Sequence, residues 1–414
     1  MKKAWEKFKQ TFGPGIVTGA SDDDPSGIAA YTQAGAMFGL KFLWTALATY
    51  PMMVTVQEMC ARIGIVTKQG LTGLLKRHYP RWVMWTMILF SAPAIVLNIS
   101  ADIAGMAAVS NLLLPTVPAP AFAIFFAALL LYILIRLNYR HIANILQFLC
   151  LALVCYIIVP FLSKKDWGMI LMESFIPDIS FDRDSLSILV AILGTTISPY
   201  LFFWQTSMEV EEVRAKKLVV NINLLRNVRT DVRLGIAFSN LITYFIILAA
   251  GTELFPKGIT NIQTVDQAAL ALKPVAGSGA YLLFAIGVIG TGLLAIPVLA
   301  GSLSYMFSEA LGFKEGLNKK FHQAKGFYIV MIVSVILALV IVLIGVNPVK
   351  ALIYTAILYG LTAPVLIAII LHICNNRKVM KTYTNSLWSN LLGFITLTVM
   401  TLAGIALLYQ MYIA

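Results

Sequence analysis

Ser21-Asp22-Asp23-Asp24-Pro25-Ser26-Gly27 lies in the middle of an otherwise apolar run, from Phe12 to Phe42, that is long enough to cross a bilayer. One Asp at the centre of a membrane helix costs roughly 2.5 to 3.5 kcal/mol, so three in a row need water, a partner or a bound cation. Pro25 adds a second disturbance: it has no N–H and pushes Asp24 away from helical angles, while Gly27 permits further unwinding. Backbone freed in this way is tolerated at membrane depth only where it faces protein or a wet cavity, and its carbonyls then become ligands. The stretch reads as a broken helix that holds a cation.

A second stretch answers the first. Gly194-Thr195-Thr196-Ile197-Ser198-Pro199-Tyr200 sits inside the apolar run from Leu186 to Met208. Two proline-interrupted spans in corresponding halves of a membrane protein point to a substrate site of the inverted-repeat kind. Either one alone reads as readily as a kink that only shapes packing; Asp24 beside Pro25 tips the pair toward a site.

The surrounding chain is far more apolar than a soluble domain: 59% of its 414 residues are hydrophobic and 12% charged, where roughly a quarter charged is usual. It reads as an all-α, polytopic membrane protein. The stub from Met1 to Gln10 is polar and leads straight into a span, so the first helix is expected to be retained rather than cleaved. The net charge of +12 is spread over short loops between apolar runs, which reports topology and not nucleic-acid binding. Cys60, Cys150, Cys155 and Cys374 have no paired metal-ligand spacing and read as small core residues.

At ~20 apolar residues per span, helices are expected near 12–40, 43–65, 82–113, 119–136, 142–162, 186–213, 232–255, 276–310, 327–346, 349–374 and 387–412, eleven in all. The eighth is long; Gly290, Gly292 and Pro297 are the places for a bend. With the N-terminus in the cytoplasm, 24 of the 31 Lys and Arg fall inside and only Lys41, Lys164, Lys165, Arg183, Lys257, Lys273 and Lys350 outside. That is the positive-inside split for a cytoplasmic N-terminus and an extracellular or periplasmic C-terminus. The breaks then fall in spans one and six. Residues 12–162 and 186–374 form two five-helix halves, inverted because an odd number of spans starts the second half on the other side of the membrane; 387–412 is an added eleventh helix. The basic inner loop Arg214 to Arg233 is expected to lie along the anionic leaflet.

Gly13-Pro14-Gly15, Asp24-Pro25-Ser26-Gly27, Gln33-Ala34-Gly35-Ala36 and Phe38-Gly39, with Ala61-Arg62-Ile63-Gly64-Ile65-Val66-Thr67 further on, resemble the first two helices of the Nramp (natural resistance-associated macrophage protein) divalent-metal transporters. The resemblance implies an inverted 5+5 repeat of the amino-acid/polyamine/organocation type, with broken helices 1 and 6, and no enzymatic activity. It also implies a metal site made by Asp and Asn of the first break and Met of a Met-Pro-His break in the sixth helix. Asp24 matches the Asp, while Gly27 stands at the Asn position, Ser198 at the Met and Tyr200 at the His. The donors that remain are hard oxygens: the Asp24 carboxylate, with Asp23 or Asp22 beside it, the Ser198 hydroxyl, and carbonyls near Ser21 and Thr195.

Loss of the thioether removes a reason to prefer manganese or iron, and two shortened side chains imply a wider pocket. Magnesium takes six oxygens at ~2.0 to 2.1 Å and keeps several waters. The pattern therefore resembles the Nramp-related magnesium transporter branch: uptake of a partly hydrated magnesium ion as substrate, with manganese also accepted, no resident cofactor and a monomeric unit in the cell membrane. Proton-coupled members carry acids on the third helix. Asp102 matches one such position as a relay or as a hydrogen-bonded cavity group, Ile99 stands where another acid is expected, and Tyr200, with a gating role open to it, is a phenol that does not titrate near neutral pH. The expectation is uncoupled entry; a divalent ion crossing 100 mV gains about 4.6 kcal/mol, twice the ~2.3 per unit charge.

The chief alternative is a proton-coupled manganese or iron symporter of the Nramp type. A sodium-coupled amino-acid carrier is disfavoured because three Asp repel a substrate carboxylate. A membrane-embedded enzyme or receptor lacks a second strong carboxylate beyond Asp102 and any sizeable soluble domain. Elsewhere, Glu58 is expected to pair with Arg62 one turn on. Glu209, Glu211 and Glu212 are expected to form a salt-bridged inner mouth with Arg214, Lys216 and Lys217. Asn98, Asn240 and Thr362 are expected to hydrogen-bond between helices, and His78, His141, His322 and His372 lie at helix ends, away from any metal site.

Overall fold

The computed structural model describes residues 14–136, 151–162 and 166–413. Gly13, the N-terminal stub, Arg140, His141, Cys150, Lys164, Lys165 and the first part of the fifth span, 142–150, lie outside the described residues. Among those described, all regular structure is helical. The helices used below are α1 (Pro14–Asp22), α2 (Pro25–Phe38), α3 (Leu43–Thr67), α4 (Leu71–His78), α5 (Arg81–Leu113), α6 (Ala119–Arg136), α7 (Trp167–Phe175), α8 (Arg183–Thr196), α9 (Pro199–Ala215), α10 (Ile222–Glu253), α11 (Ala280–Leu311), α12 (Lys325–Leu343), α13 (Pro348–Asn375) and α14 (Leu387–Ile413).

Among the described residues, eight segments are long and apolar enough to cross a bilayer, counting α8 with α9 as one. With α1 and α2 as the interrupted first span, α3, and the helical remainder 152–161, they fill the eleven expected positions. The halves trade partners. α10 lies along both α1 and α2, and α3 lies along α9, so the second helix of each half packs on the broken helix of the other.

Small residues make these contacts close, as they must where lipid removes the hydrophobic drive and packing alone holds helices together. A Cβ on Gly15 would lie 2.6 Å from Val232 N, on Gly19 2.7 Å from Gly235 Cα, on Gly35 2.7 Å from Gly251 N, and on Gly194 2.8 Å from Gly360 Cα. Each obstacle is backbone, which cannot turn aside. Gly15 N, an unpaired donor in the first turn of α1, donates to Asp231 Oδ2 of α10 at 2.7 Å. At its far end α2 stops on Gly39, whose φ of +65° suits glycine.

Several expectations are corrected. α10 begins at Ile222, ten residues earlier than its hydropathy indicated, so the inner loop is short and most of 214–233 is helix. That extension puts Arg229 and Arg233 on one helical face, and both reach Glu58, at 3.1 and 2.7 Å. Glu58 thus pairs across helices and not with Arg62, which donates to Asn385. Thr362 bonds carbonyls of its own helix, whereas Asn240 does join helices, accepting from Thr49 at 3.0 Å. The outer stretch before α8 contains α7, capped by Asp166. The eighth span is one uninterrupted helix despite Pro297.

Candidate metal-binding site between the helix breaks

The two breaks are built alike. Asp23 and Asp24 separate α1 from α2, and Ile197 and Ser198 separate α8 from α9. In each, proline takes the first position of the new helix, where its fixed φ fits and its missing N–H is no loss. The same proline leaves the carbonyl four residues earlier without a helical donor. Those carbonyls belong to Ser21 and Thr195.

Hydroxyls of the second break fill both. Tyr200 Oη donates to Ser21 O at 2.9 Å, joining the two breaks directly. Ser198 Oγ lies 2.5 Å from Thr195 O and 3.1 Å from Gly194 O. Ser198 is therefore the N-cap residue of α9 by position, with ψ of 126°, but its side chain turns back to the preceding helix and makes no cap bond.

Asp24 caps α2 as an N-cap carboxylate should. Its Oδ1 accepts from Gly27 N at 2.9 Å and Ser26 Oγ at 2.6 Å, and its Oδ2 accepts from Asn98 Nδ2 of α5 at 2.8 Å. Asn98 Oδ1 in turn accepts from Thr355 Oγ1 of α13 at 3.2 Å. One turn after Asn98 lies Asp102, fully buried, within electrostatic reach of Asp24 and near the Ser26 backbone N–H, with no hydrogen bond of normal geometry.

Gly27 does not unwind the chain. It is helical, in the first turn of α2, and its missing Cβ lets Thr195 approach: an added Cβ would sit 3.2 Å from Thr195 Oγ1 and 3.2 Å from Tyr31 Cε2. On the α2 side Tyr31 Oη meets Thr196 Oγ1 at 3.1 Å, and on the α1 side Thr18 Oγ1 meets Gln205 Oε1 at 2.5 Å. Asp24, Ser21, Thr195 and Ser198 are all buried.

The structure thus brings Tyr200 to Ser21, Gly27 to Thr195 and Ser198 to the Thr195 carbonyl, with Asp102 within electrostatic reach of Asp24. Asp22 and Asp23 face elsewhere, toward Ser239 of α10. Among the described residues no group of three or more His, Cys, Asp or Glu is placed to hold a metal, so an ion here draws on one carboxylate and neutral oxygens. Tyr31, Thr18 and Gln205 were not singled out in the sequence; a hydroxyl or amide inside an apolar run was their only signal.

At the C-terminal end of α9 the expected salt-bridged mouth is only partly formed. Glu212 pairs with Lys216, but Glu211 accepts from Tyr305 Oη, Leu317 N and Asn318 Nδ2, and Arg214 donates to Lys68 O at 2.9 Å. Glu209 accepts from Gln205 Nε2 at 2.8 Å. A cavity of about 260 Å³ opens here between Glu211, Glu309, Glu315 and Lys319. Burial pushes the Glu315 carboxyl up to about 7, with Arg214 and Lys319 opposing and Glu211 adding to the rise.

The sequence pattern of the family described as "Natural resistance-associated macrophage protein-like" matches residues 15–410, nearly the whole chain. The chain belongs to the Nramp family. The Divalent metal cation transporter MntH of Chromohalobacter salexigens is 24% identical to this Nramp chain, over 99% of it and 92% of the relative. The protein of the same name from Caldanaerobacter subterraneus subsp. tengcongensis is 22% identical over 97% and 93%. Among solved structures, the manganese transporter of Eremococcus coleocola superposes with a TM-score of 0.77 at 17% identity, covering 98% of this chain and 87% of that one. MhsT, solved with L-phenylalanine, superposes at 0.63 and 14% identity over 96% and 97%. The fold of this Nramp chain is accordingly the inverted-repeat transporter fold with broken helices 1 and 6.

Proposed function

We propose that this Nramp chain carries divalent metal ions across the membrane, bound between its two breaks. The observation that supports this is the Tyr200 hydroxyl of the second break on Ser21 O, the carbonyl that Pro25 orphans in the first, which joins the two buried breaks next to Asp24. Side-chain hydroxyls hold both Ser21 O and Thr195 O, and such bonds exchange readily for an ion, whereas a helical N–H would not. Kinship favours manganese as the substrate, taken up with protons as the family resemblance implies; Asp102, buried beside Asp24, is then the relay. The positive-inside split supports a cytoplasmic N-terminus in this reading, with 12–162 and 186–374 as the two inverted halves.

A second reading, magnesium entry driven by the membrane potential alone, is favoured by one feature: Ser198 stands at the Met position, so every side chain reaching the carbonyls offers oxygen. Proteoliposomes separate the two. Asp24→Asn keeps an N-capping side chain and removes the charge; manganese uptake is expected to fall at least about tenfold, with the unfolding midpoint little changed. Undiminished uptake would remove Asp24 from the site. An internal pH dye that acidifies in step with manganese entry supports the coupled reading; a silent dye with brisk magnesium flux supports the other.

A further inference from the structure

A cavity of about 390 Å³ opens between α3, the start of α10 and the connection from α13 to α14. Its size falls within the ~300 to 1,000 Å³ of pockets that take small ligands, and no residue of either break lines it. Two of its lining residues are arginines, Arg62 and Arg229, and one is a carboxylate, Glu58. Glu58 is already held by Arg229 and Arg233, at 3.1 and 2.7 Å. Arg62 has no carboxylate partner among the described residues. Its Nη2 donates to Asn385 Oδ1, and its Nε, beside the Cys374 thiol, makes no hydrogen bond of normal geometry. Three guanidinium charges thus meet one carboxylate at this cavity, and the surplus is positive.

The chemistry of the wall narrows the ligand. Guanidinium forks match the oxygens of a phosphate two at a time, and the hydroxyls of Thr382, Thr384 and Ser386 line the same cavity. The rest is apolar: Ile222, Leu225 and Val228 recur every three residues along α10, with Ile65 of α3, and Ile222 is 68% exposed. A free phosphate gains nothing from such a surface, whereas an acyl chain covers it favourably. Trp388, in the first turn of α14, is 72% exposed, and tryptophan at the end of a span marks the level of the lipid headgroups. Basic pockets between spans at that level suit anionic headgroups.

We propose that Arg62, Arg229 and the hydroxyls of Thr382, Thr384 and Ser386 form a binding site for the phosphate of an anionic phospholipid, whose acyl chain lies along Ile222, Leu225 and Val228. The site goes beyond the metal reading and requires no ion at the breaks. Its test is native mass spectrometry of the purified full chain titrated with dioleoyl phosphatidylglycerol, with dioleoyl phosphatidylcholine and with inorganic phosphate. One phosphatidylglycerol per chain is expected to bind at least about fivefold more tightly than phosphatidylcholine. Arg62→Gln and Arg229→Gln should each weaken it about fivefold, the contribution of one basic residue near a membrane surface. Arg136→Gln, which removes an exposed arginine at the end of α6, should leave it unchanged. Thr384→Val keeps the shape of the side chain and loses its hydroxyl; it should weaken binding at least about twofold and is readable even where an arginine variant fails to fold.

Equal affinity for the two lipids overturns the site, as does phosphatidylglycerol binding that none of the three pocket variants weakens. Arg136→Gln weakening it as much as Arg62→Gln would show diffuse attraction to basic residues and equally overturn it. Inorganic phosphate bound where phosphatidylglycerol is not would give the pocket to a soluble anion and overturn the lipid assignment. If phosphatidylglycerol binds as expected and manganese uptake is nil, the substrate reading fails and the lipid site stands.

Discussion

Removal of one atom tests the junction of the breaks. Tyr200→Phe deletes the hydroxyl that donates to Ser21 O at 2.9 Å, a carbonyl that Pro25 has orphaned. If that carbonyl is a ligand in the ion-bound state, the hydroxyl competes with the ion, and its removal abolishes the competition. A typical net hydrogen bond contributes about 0.5 to 1.5 kcal/mol, and 1.36 kcal/mol is tenfold, so manganese should bind the variant about 2- to 12-fold more tightly. The ion-free protein should also lose stability, because a buried acceptor left unpaired costs about 1 to 3 kcal/mol. Isothermal titration of the purified variant gives the affinity, and thermal unfolding with and without manganese gives the second quantity. Unchanged or weaker manganese binding would refute the competition, and would instead make the Tyr200 hydroxyl a ligand or a bystander.

Three further outcomes follow from the packing and the site. Ser198→Met supplies a soft sulfur next to Thr195 O and should raise the preference for cadmium or manganese over magnesium by about tenfold in competition uptake; an unaltered ratio contradicts the argument from donor softness. Gly19→Ala places a Cβ 2.7 Å from Gly235 Cα, and backbone cannot step aside. Overpacking of this kind costs about 1 to 3 kcal/mol, seen as a lower unfolding midpoint in detergent, and an unshifted midpoint contradicts the close approach of α1 and α10. Glu315 has a folded-state value of about 7, above the ordinary 4.5. The folded chain therefore holds the proton more tightly than the unfolded one, and stability falls as pH rises between these values. Glu315→Gln should accordingly gain about 2 °C over the parent as pH is raised through this window, and a gain that shrinks on raising the pH would show the opposite linkage.

The eleven spans were legible because a bilayer demands unbroken apolar length, and the two breaks because proline there follows a polar residue, Asp24 or Ser198, whereas Pro51, Pro93, Pro297 and Pro364 sit inside continuous helices. Those two facts led from the chain alone to Asp24, Ser198 and the carbonyls of Ser21 and Thr195. Where polar side chains point was less legible. Glu58 was paired with Arg62 because i,i+4 neighbours are visible in a sequence, while its partners Arg229 and Arg233 are brought to it by a helix that starts at Ile222, before the apolar run begins. The three consecutive Asp read as one cluster; in the fold Asp24 turns to Asn98 and Asp22 and Asp23 to Ser239.

By itself, then, the sequence determined which carbonyls lose their donors, since the missing N–H of a proline acts within four residues and needs no neighbour. Only the tertiary structure decided what replaces those donors. Tyr200 and Ser21 are 179 positions apart, and they meet because glycines at 15, 19, 194 and 235 let the helices that carry the breaks lie against their neighbours closer than any side chain would allow.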